Sequence, residues 1–226
     1  MWDGYNDNVF TFEYADIPIS PAGIVLGYVN YSDLNKYSEC LVDAIGVVQS
    51  KNQNGIVNIV AHSFGGLVAR CAAKQIPGAI NKIITLDTGH CGFELDNFVH
   101  KILGPADATI PQDMLCYKQV GEDMPFITNL NKGFNSNDPQ LVSLAAGNEM
   151  PPPPTMSSPP VPSLRVVDFN SSSMDQVPGN EIPTQGSYNN PPFFVLPNYN
   201  HASISQIRSD NYQNHPAYQA IIKFFH

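Results

Sequence analysis

Apolar and polar positions alternate along this chain with two different periods. In "YSDLNKYSECLVDAIGVVQSK", Tyr37, Leu41, Ala44 and Val48 recur at helical spacing behind a Ser/Asp start, which predicts an amphipathic helix. "GIVNIVA", beginning at Gly55, is too uniformly apolar for a strand with one wet face and suits a strand covered on both sides in a parallel sheet. A second helix is predicted from about Gly65 to Gln75, stopping before Pro77. "NVFTFEY" (Asn8 to Tyr14), "NKIITLDT" (Asn81 to Thr88), "QLVSLAAG" (Gln140 to Gly147), "SLRVVDF" and "PFFVLP" read as further strands, and "HPAYQAIIKFF" as a terminal amphipathic helix. Strands alternating with helices point to an α/β fold with a mainly parallel sheet. Residues 92–138 break that rhythm with short helical pieces and read as a cap over the sheet edge. The proline-rich run "MPPPPTMSSPPVPS" makes 148–163 an extended, exposed insertion within one domain spanning 1–226.

Composition narrows the chemistry. A length of 226 residues with 42% hydrophobic content supports one sizeable core. With 11 Lys and Arg against 20 Asp and Glu, the net charge of −9 excludes a phosphate-binding stripe and argues against a nucleic-acid partner. Apolar runs fall far short of the ~18 residues needed to cross a bilayer, and no basic-then-apolar leader pattern opens the chain. The few charges and abundant Asn, Ser and Pro lean toward an extracellular style of surface. Cys40, Cys71, Cys91 and Cys116 form no CxxC pair, so neither a zinc site nor a dithiol motif is indicated; free thiols and two disulfides both stay open.

The segment "GIVNIVAHSFGGLVARCAAK" sets Ser63 between an apolar strand and an Ala-rich helix. A nucleophilic serine must leave the sheet, face solvent and have a helix N-terminus behind it to favour developing negative charge. The sharp turn this needs crowds the backbone two residues either side, where the chain has Ala61 and Gly65, followed by Gly66. The arrangement resembles the GxSxG nucleophile elbow of the α/β-hydrolase family, with Ala61 in place of the first glycine, as in some bacterial lipases. That resemblance implies a doubly covered parallel sheet and a serine activated by a histidine that a carboxylate orients. His62, adjacent to the nucleophile, is directed away by the turn and is not the base expected.

The family order of serine, acid, histidine leaves His90, His100, His201, His215 and His226 as bases. His201, in "PFFVLPNYNHASIS", follows a late strand and precedes the terminal helix, which resembles the family's histidine loop. For the acid, Asp175 in "SSMDQVPG" resembles the Asp-then-Val-Pro loop of lipase-like members, and Asp168, at the end of "SLRVVDF", is the alternative. Asp87 in "ITLDTGHCG" stands where a similar family loop, Leu-Gly-Thr-Pro-His-x-Gly, has glycine, and is read as structural. "EDMPFITNLNKGF" is similar to a lipase cap segment.

Two N–H donors are expected at the oxyanion: Phe64 supplies one, and the other comes from a loop usually announced by His-Gly after an earlier strand. No His-Gly precedes Ser63, and one strand precedes the elbow strand, so the chain reads as starting late, with the first strands of the fold missing. The function expected is a serine carboxylic-ester hydrolase of lipase-like type: Ser63 attacks, His201 moves the proton, Asp175 orients His201, and Phe64 N–H holds part of the oxyanion. No metal and no organic cofactor is called for. The partner is a small-molecule or lipid ester, without nucleic acid or a transmembrane segment, and with transient lipid-surface contact through the cap. An acyltransferase or thioesterase using the same triad, and a non-catalytic binding protein on this fold, stand as alternatives.

Overall fold

A computed structural model describes residues 9–10, 12, 33–51, 55–92, 119–120, 125–132, 139–147, 193–196, 198–201, 203–207 and 212–225. Four parallel strands, β1 (Val57–His62), β2 (Ile80–Leu86), β3 (Gln140–Ala146) and β4 (Phe193–Leu196), lie side by side in chain order. Helix α1 (Leu34–Lys51) precedes β1, α2 (Phe64–Gln75) joins β1 to β2, α3 (Pro125–Asn131) lies between β2 and β3, and α4 (Pro216–Phe225) ends the fold. The parallel α/β architecture expected from the strand–helix alternation is therefore present. The expected strand over 8–14 falls mostly outside the described residues; Val9, Phe10 and Phe12 are in irregular backbone. "SLRVVDF" and the insertion at 148–163 lie wholly outside them.

The sheet carries a core on each face, which is why its strands are apolar at nearly every position. On one face Val57, Ile59 and Ala61 of β1 and Ile80 and Ile83 of β2 meet Leu34, Tyr37, Leu41 and Ile45 of α1 and Leu67, Val68 and Ala72 of α2. On the other, Val60, Ile84, Leu86, Val142 and Leu144 meet Ile204 and the Ala217 and Ile221 side of α4. Fully buried side chains such as Leu67, Ile83, Ile84 and Leu144 each contribute roughly 1.5–3 kcal/mol of apolar burial.

Helix ends are satisfied locally. Asp33 caps α1, its carboxylate accepting the Asn35 N–H at 2.8 Å, while Gln119 Oε1 accepts the Leu34 N–H at 2.8 Å. Helix α3, inside the segment expected to form the cap, is gripped at its C-terminal end by two cations one turn apart on α2. Lys74 Nζ donates to the carbonyls of Asn129 (2.9 Å) and Lys132 (2.6 Å), and Arg70 Nη2 to Asn131 Oδ1 (2.7 Å). Cations at a helix C-terminus oppose its negative pole. Lys82 Nζ does the same at the end of α4 through the Phe224 carbonyl, at 2.7 Å.

Candidate active site

The turn from β1 into α2 forces Ser63 to φ 55°, ψ −129°. A non-glycine residue held there costs of order 1–3 kcal/mol, and such strain concentrates at functional sites. The surrounding backbone enforces it. Ser63 N–H donates to Leu86 O at 3.0 Å, and Ser63 O accepts from Gly66 N–H at 3.1 Å and from Thr88 Oγ1 at 2.9 Å. Gly66 is required by that approach, because a Cβ there would lie 2.3 Å from Thr88 Oγ1 and 2.9 Å from Thr85 Cγ2. Phe64 is the first residue of α2, so its N–H belongs to the positive pole of that helix.

His201 enters from the far side of the sheet, in the loop after β4. Around it Asn200 N–H donates to Ser203 Oγ (2.8 Å) and Ser203 N–H to Asn200 Oδ1 (2.9 Å), a reciprocal pair that closes the turn. Ile204, fully buried, pins the turn to the core. Tyr199 packs its ring 4.6 Å from that of His215, and His215 Nδ1 accepts the Ala217 N–H at 3.2 Å at the start of α4. The histidine loop is thereby tied to the terminal helix.

His201 Nδ1 lies 2.7 Å from Asp87 Oδ2, with the histidine side chain 13% exposed and the aspartate 3% exposed. Asp87 is doubly anchored: its Oδ1 accepts the Ala146 N–H at 2.9 Å and its own N–H donates to Leu144 O at 2.6 Å. A carboxylate fixed to the end of β3 thus receives the Nδ1 proton of the ring, which leaves Nε2 as the proton acceptor. Neither Ser63 Oγ nor His201 Nε2 has a hydrogen-bond partner among the described residues. Asp87, expected to be structural, is the carboxylate that meets the His201 ring. Asp175 and Asp168, the acids expected from the sequence, lie outside the described residues. What signals Asp87 is its placement: it is the first residue beyond β2, the strand next to the elbow strand, at φ 48°. Aspartate is one of the few non-glycine residues that tolerates left-handed backbone.

His62 also touches the site. Its Nε2–H donates to the His201 carbonyl at 2.7 Å, and the two rings sit 4.7 Å apart, tilted by 39°. Burial first, and then the neighbouring His201, hold the His62 pKa down to about 4, against weaker opposing effects of its hydrogen bond and of Asp87.

Beneath Asp87 runs a buried polar chain whose proton directions are set by Arg70, a group that can only donate. Arg70 Nη1 donates to His90 Nδ1 at 3.1 Å, so the His90 proton is on Nε2, which donates to Thr85 Oγ1 at 2.9 Å. Asn131 Nδ2 donates to His90 O at 2.9 Å. Burial, and then Arg70, push the His90 pKa well below its ordinary value, keeping the ring neutral. This network fixes the loop after β2 on which Asp87 stands.

Among the described residues no group of three or more His, Cys, Asp or Glu could hold a metal ion, and no helix is long and apolar enough to cross a membrane. Cys40 and Cys71 are free thiols, and Cys116 lies outside the described residues.

Residues 28–108, spanning α1, the elbow and Asp87, match the PGAP1-like alpha/beta domain. No curated protein matches the sequence. Among solved structures, phospholipase PlaB from Legionella pneumophila superposes with a TM-score of 0.64 at 16% identity, over 85% of this chain and 48% of the phospholipase chain. The same phospholipase in complex with thio-NAD gives 0.58 at 14% identity, over 87% and 48%. A putative lipase from Acinetobacter baumannii AYE gives 0.45 at 16% identity, over 93% and 75%. The chain therefore spans about half the length of the phospholipase it matches. Strand order, elbow backbone and the likeness to the phospholipase agree on an α/β fold of the hydrolase type, and residues 28–108 are similar to the PGAP1-like alpha/beta domain.

Proposed function

We propose that this chain is a serine carboxylic-ester hydrolase of lipase-like type, acting on lipid esters through an acyl-enzyme on Ser63. The observation that carries the reading is the strained Ser63 backbone at the strand–helix turn, on an adjoining strand end from a carboxylate–histidine pair. His201 Nε2 accepts the Ser63 proton as Oγ attacks the ester carbonyl, and Asp87 holds the imidazolium that forms. Phe64 N–H stabilises the oxyanion. Collapse of the tetrahedral intermediate expels the alcohol, which takes the proton from His201. Water, deprotonated by the same ring, then attacks the acyl-enzyme and releases the acid and Ser63. Serine–histidine hydrogen bonds of this kind are often long in the unliganded state and tighten when substrate is bound. The route calls for no metal or organic cofactor.

Asp87 takes the orienting role here in preference to Asp175 and Asp168, because its two oxygens already have the two partners that the role demands. The lipid-ester class is favoured by the likeness to a phospholipase. Labelling with a fluorophosphonate, followed by peptide mapping, tests the proposal together with hydrolysis of p-nitrophenyl and phospholipid esters. Labelling confined to Ser63, with turnover lost in Ser63→Ala, is the expected result. Turnover that survives Ser63→Ala, or a label on another serine, overturns it.

A further inference from the structure

We infer that His62 is a positioning residue that straps the histidine loop to the nucleophile elbow and so sets the Ser63–His201 spacing; this rests on the proposed roles of those two residues. The peptide bond joining His62 to Ser63 makes the strap short. His62 Nε2 reaches the backbone oxygen of His201 itself, at 2.7 Å, across 139 positions of sequence. A carbonyl can only accept, so His62 Nε2 carries a proton and donates it. The strand explains why the ring points this way. Val57, Ile59 and Ala61 face the α1–α2 side of the sheet, so His62, one step on, faces the α4 side, where the loop carrying His201 packs.

Three contacts then define the position of the base. Asp87 Oδ2 fixes Nδ1, the His62 N–H fixes the main-chain oxygen, and the His62 ring bounds one face of the His201 imidazole at 4.7 Å. Asp87 alone leaves the ring free to swing about the Nδ1–Oδ2 contact. The strap removes that freedom by holding the residue's backbone against the elbow. A neutral His62 is also compatible with a positive charge forming on His201 during the reaction, and the groups facing it are His201 and Asp87.

Glutamine is the informative replacement, because its Nε2 stands at nearly the reach of histidine Nε2 and keeps an N–H donor, whereas leucine keeps bulk and loses the donor. For His62→Leu, kcat for a p-nitrophenyl ester falls about 10–100-fold with KM within about twofold, and the fluorophosphonate labelling rate falls in parallel. His62→Gln recovers to within about threefold of the parent. Independently of activity, amide hydrogen exchange across residues 198–207 speeds up in His62→Leu and returns toward the parental rate in His62→Gln, in folded protein of unchanged circular dichroism. Equal kcat in the leucine variant and the parent, or loop exchange indifferent to both substitutions, overturns the strap. A parent chain that neither hydrolyses nor labels, yet shows the exchange pattern, keeps the strap and removes the esterase reading. The opposite pattern separates them the other way.

Discussion

Replacing Asp87 by asparagine changes one proton pattern and little else, which makes it the sharpest probe of the proposed triad. In the parent, Oδ1 accepts the Ala146 N–H at 2.9 Å and Oδ2 faces His201 Nδ1 at 2.7 Å. Asparagine keeps the first contact through its Oδ1 and presents an NH₂ to the ring. Two donors cannot face each other, so Nδ1 must give up its proton and act as acceptor. The ring proton then sits on Nε2, the atom that must receive the proton from Ser63. A wrong tautomer of this kind costs about 10⁴ in kcat in well-studied triads, or about 5 kcal/mol at the barrier. Alanine would be a poorer choice, because it strands the buried Ala146 N–H at about 1–3 kcal/mol and mixes folding with chemistry. We therefore expect Asp87→Asn to lower kcat for a p-nitrophenyl ester about 10⁴-fold while the denaturant midpoint moves little. Asp175→Asn and Asp168→Asn should each stay within about threefold of the parent. An Asp87→Asn enzyme within about tenfold of the parent would refute the assignment, and a 10⁴-fold loss in Asp175→Asn instead would move the acid to that loop.

Three further outcomes follow from the geometry. Ser63→Gly should exceed Ser63→Ala in stability by about 1 kcal/mol by urea titration, because glycine relieves the strain at φ 55° and alanine does not; equal midpoints would remove the strain argument. Gly66→Ala should destabilise by about 1–3 kcal/mol and expose the loop bearing Thr88 to proteolysis, since the added methyl meets Thr88 and Thr85 on a buried turn; a neutral effect would show that the loop can withdraw at no cost. The depressed His62 pKa makes stability fall with acid: between pH 6.5 and about 4 the unfolded chain binds a proton at His62 that the folded one does not. The loss, about 3 kcal/mol in full, begins near pH 6.5 and is complete below about 4, so His62→Gln should flatten the pH dependence of the urea midpoint by that share, and an unchanged slope contradicts a neutral, half-buried His62.

Much of the fold was legible because it rests on local pattern. The spacing of Tyr37 and Leu41 marks the buried side of α1, and Asp33 caps it where a Ser/Asp start was expected. The uniform apolarity of "GIVNIVA" reflects cores on both faces of β1. Which carboxylate meets His201 was less legible, for a physical reason. The two residues are 114 positions apart, and their meeting depends on how far a loop after β4 reaches back across β3. Element order cannot state that reach. Nor does a sequence reveal that His62, read as turned away, is turned toward the backbone of His201: that follows from strand parity together with the face on which α4 packs.

Among the described residues Ser63 and Asp87 are the two non-glycine positions with positive φ, and they occupy equivalent points of adjacent strands. His62 pairs with Leu86 in the parallel register, so each residue is the first beyond its strand. At that point a parallel sheet releases two neighbouring chains within about 5 Å of each other, on the edge where ligands of open α/β sheets bind. A left-handed residue there turns its chain sharply and swings its side chain off the strand's alternation. For Ser63 this lifts the hydroxyl out of the sheet; for Asp87 it turns the carboxylate along the strand ends, over Ala146 of β3 and toward the histidine loop. Both conformations are costly alone. They are held together by shared bonds, Ser63 N–H to Leu86 O and Thr88 Oγ1 to Ser63 O, so that neither turn can relax without disturbing the other. Ser63 and Asp87, the proposed nucleophile and acid, are thus parts of one strained edge, and His201, arriving from the opposite end of the sheet, is the component whose placement depends on additional tethers.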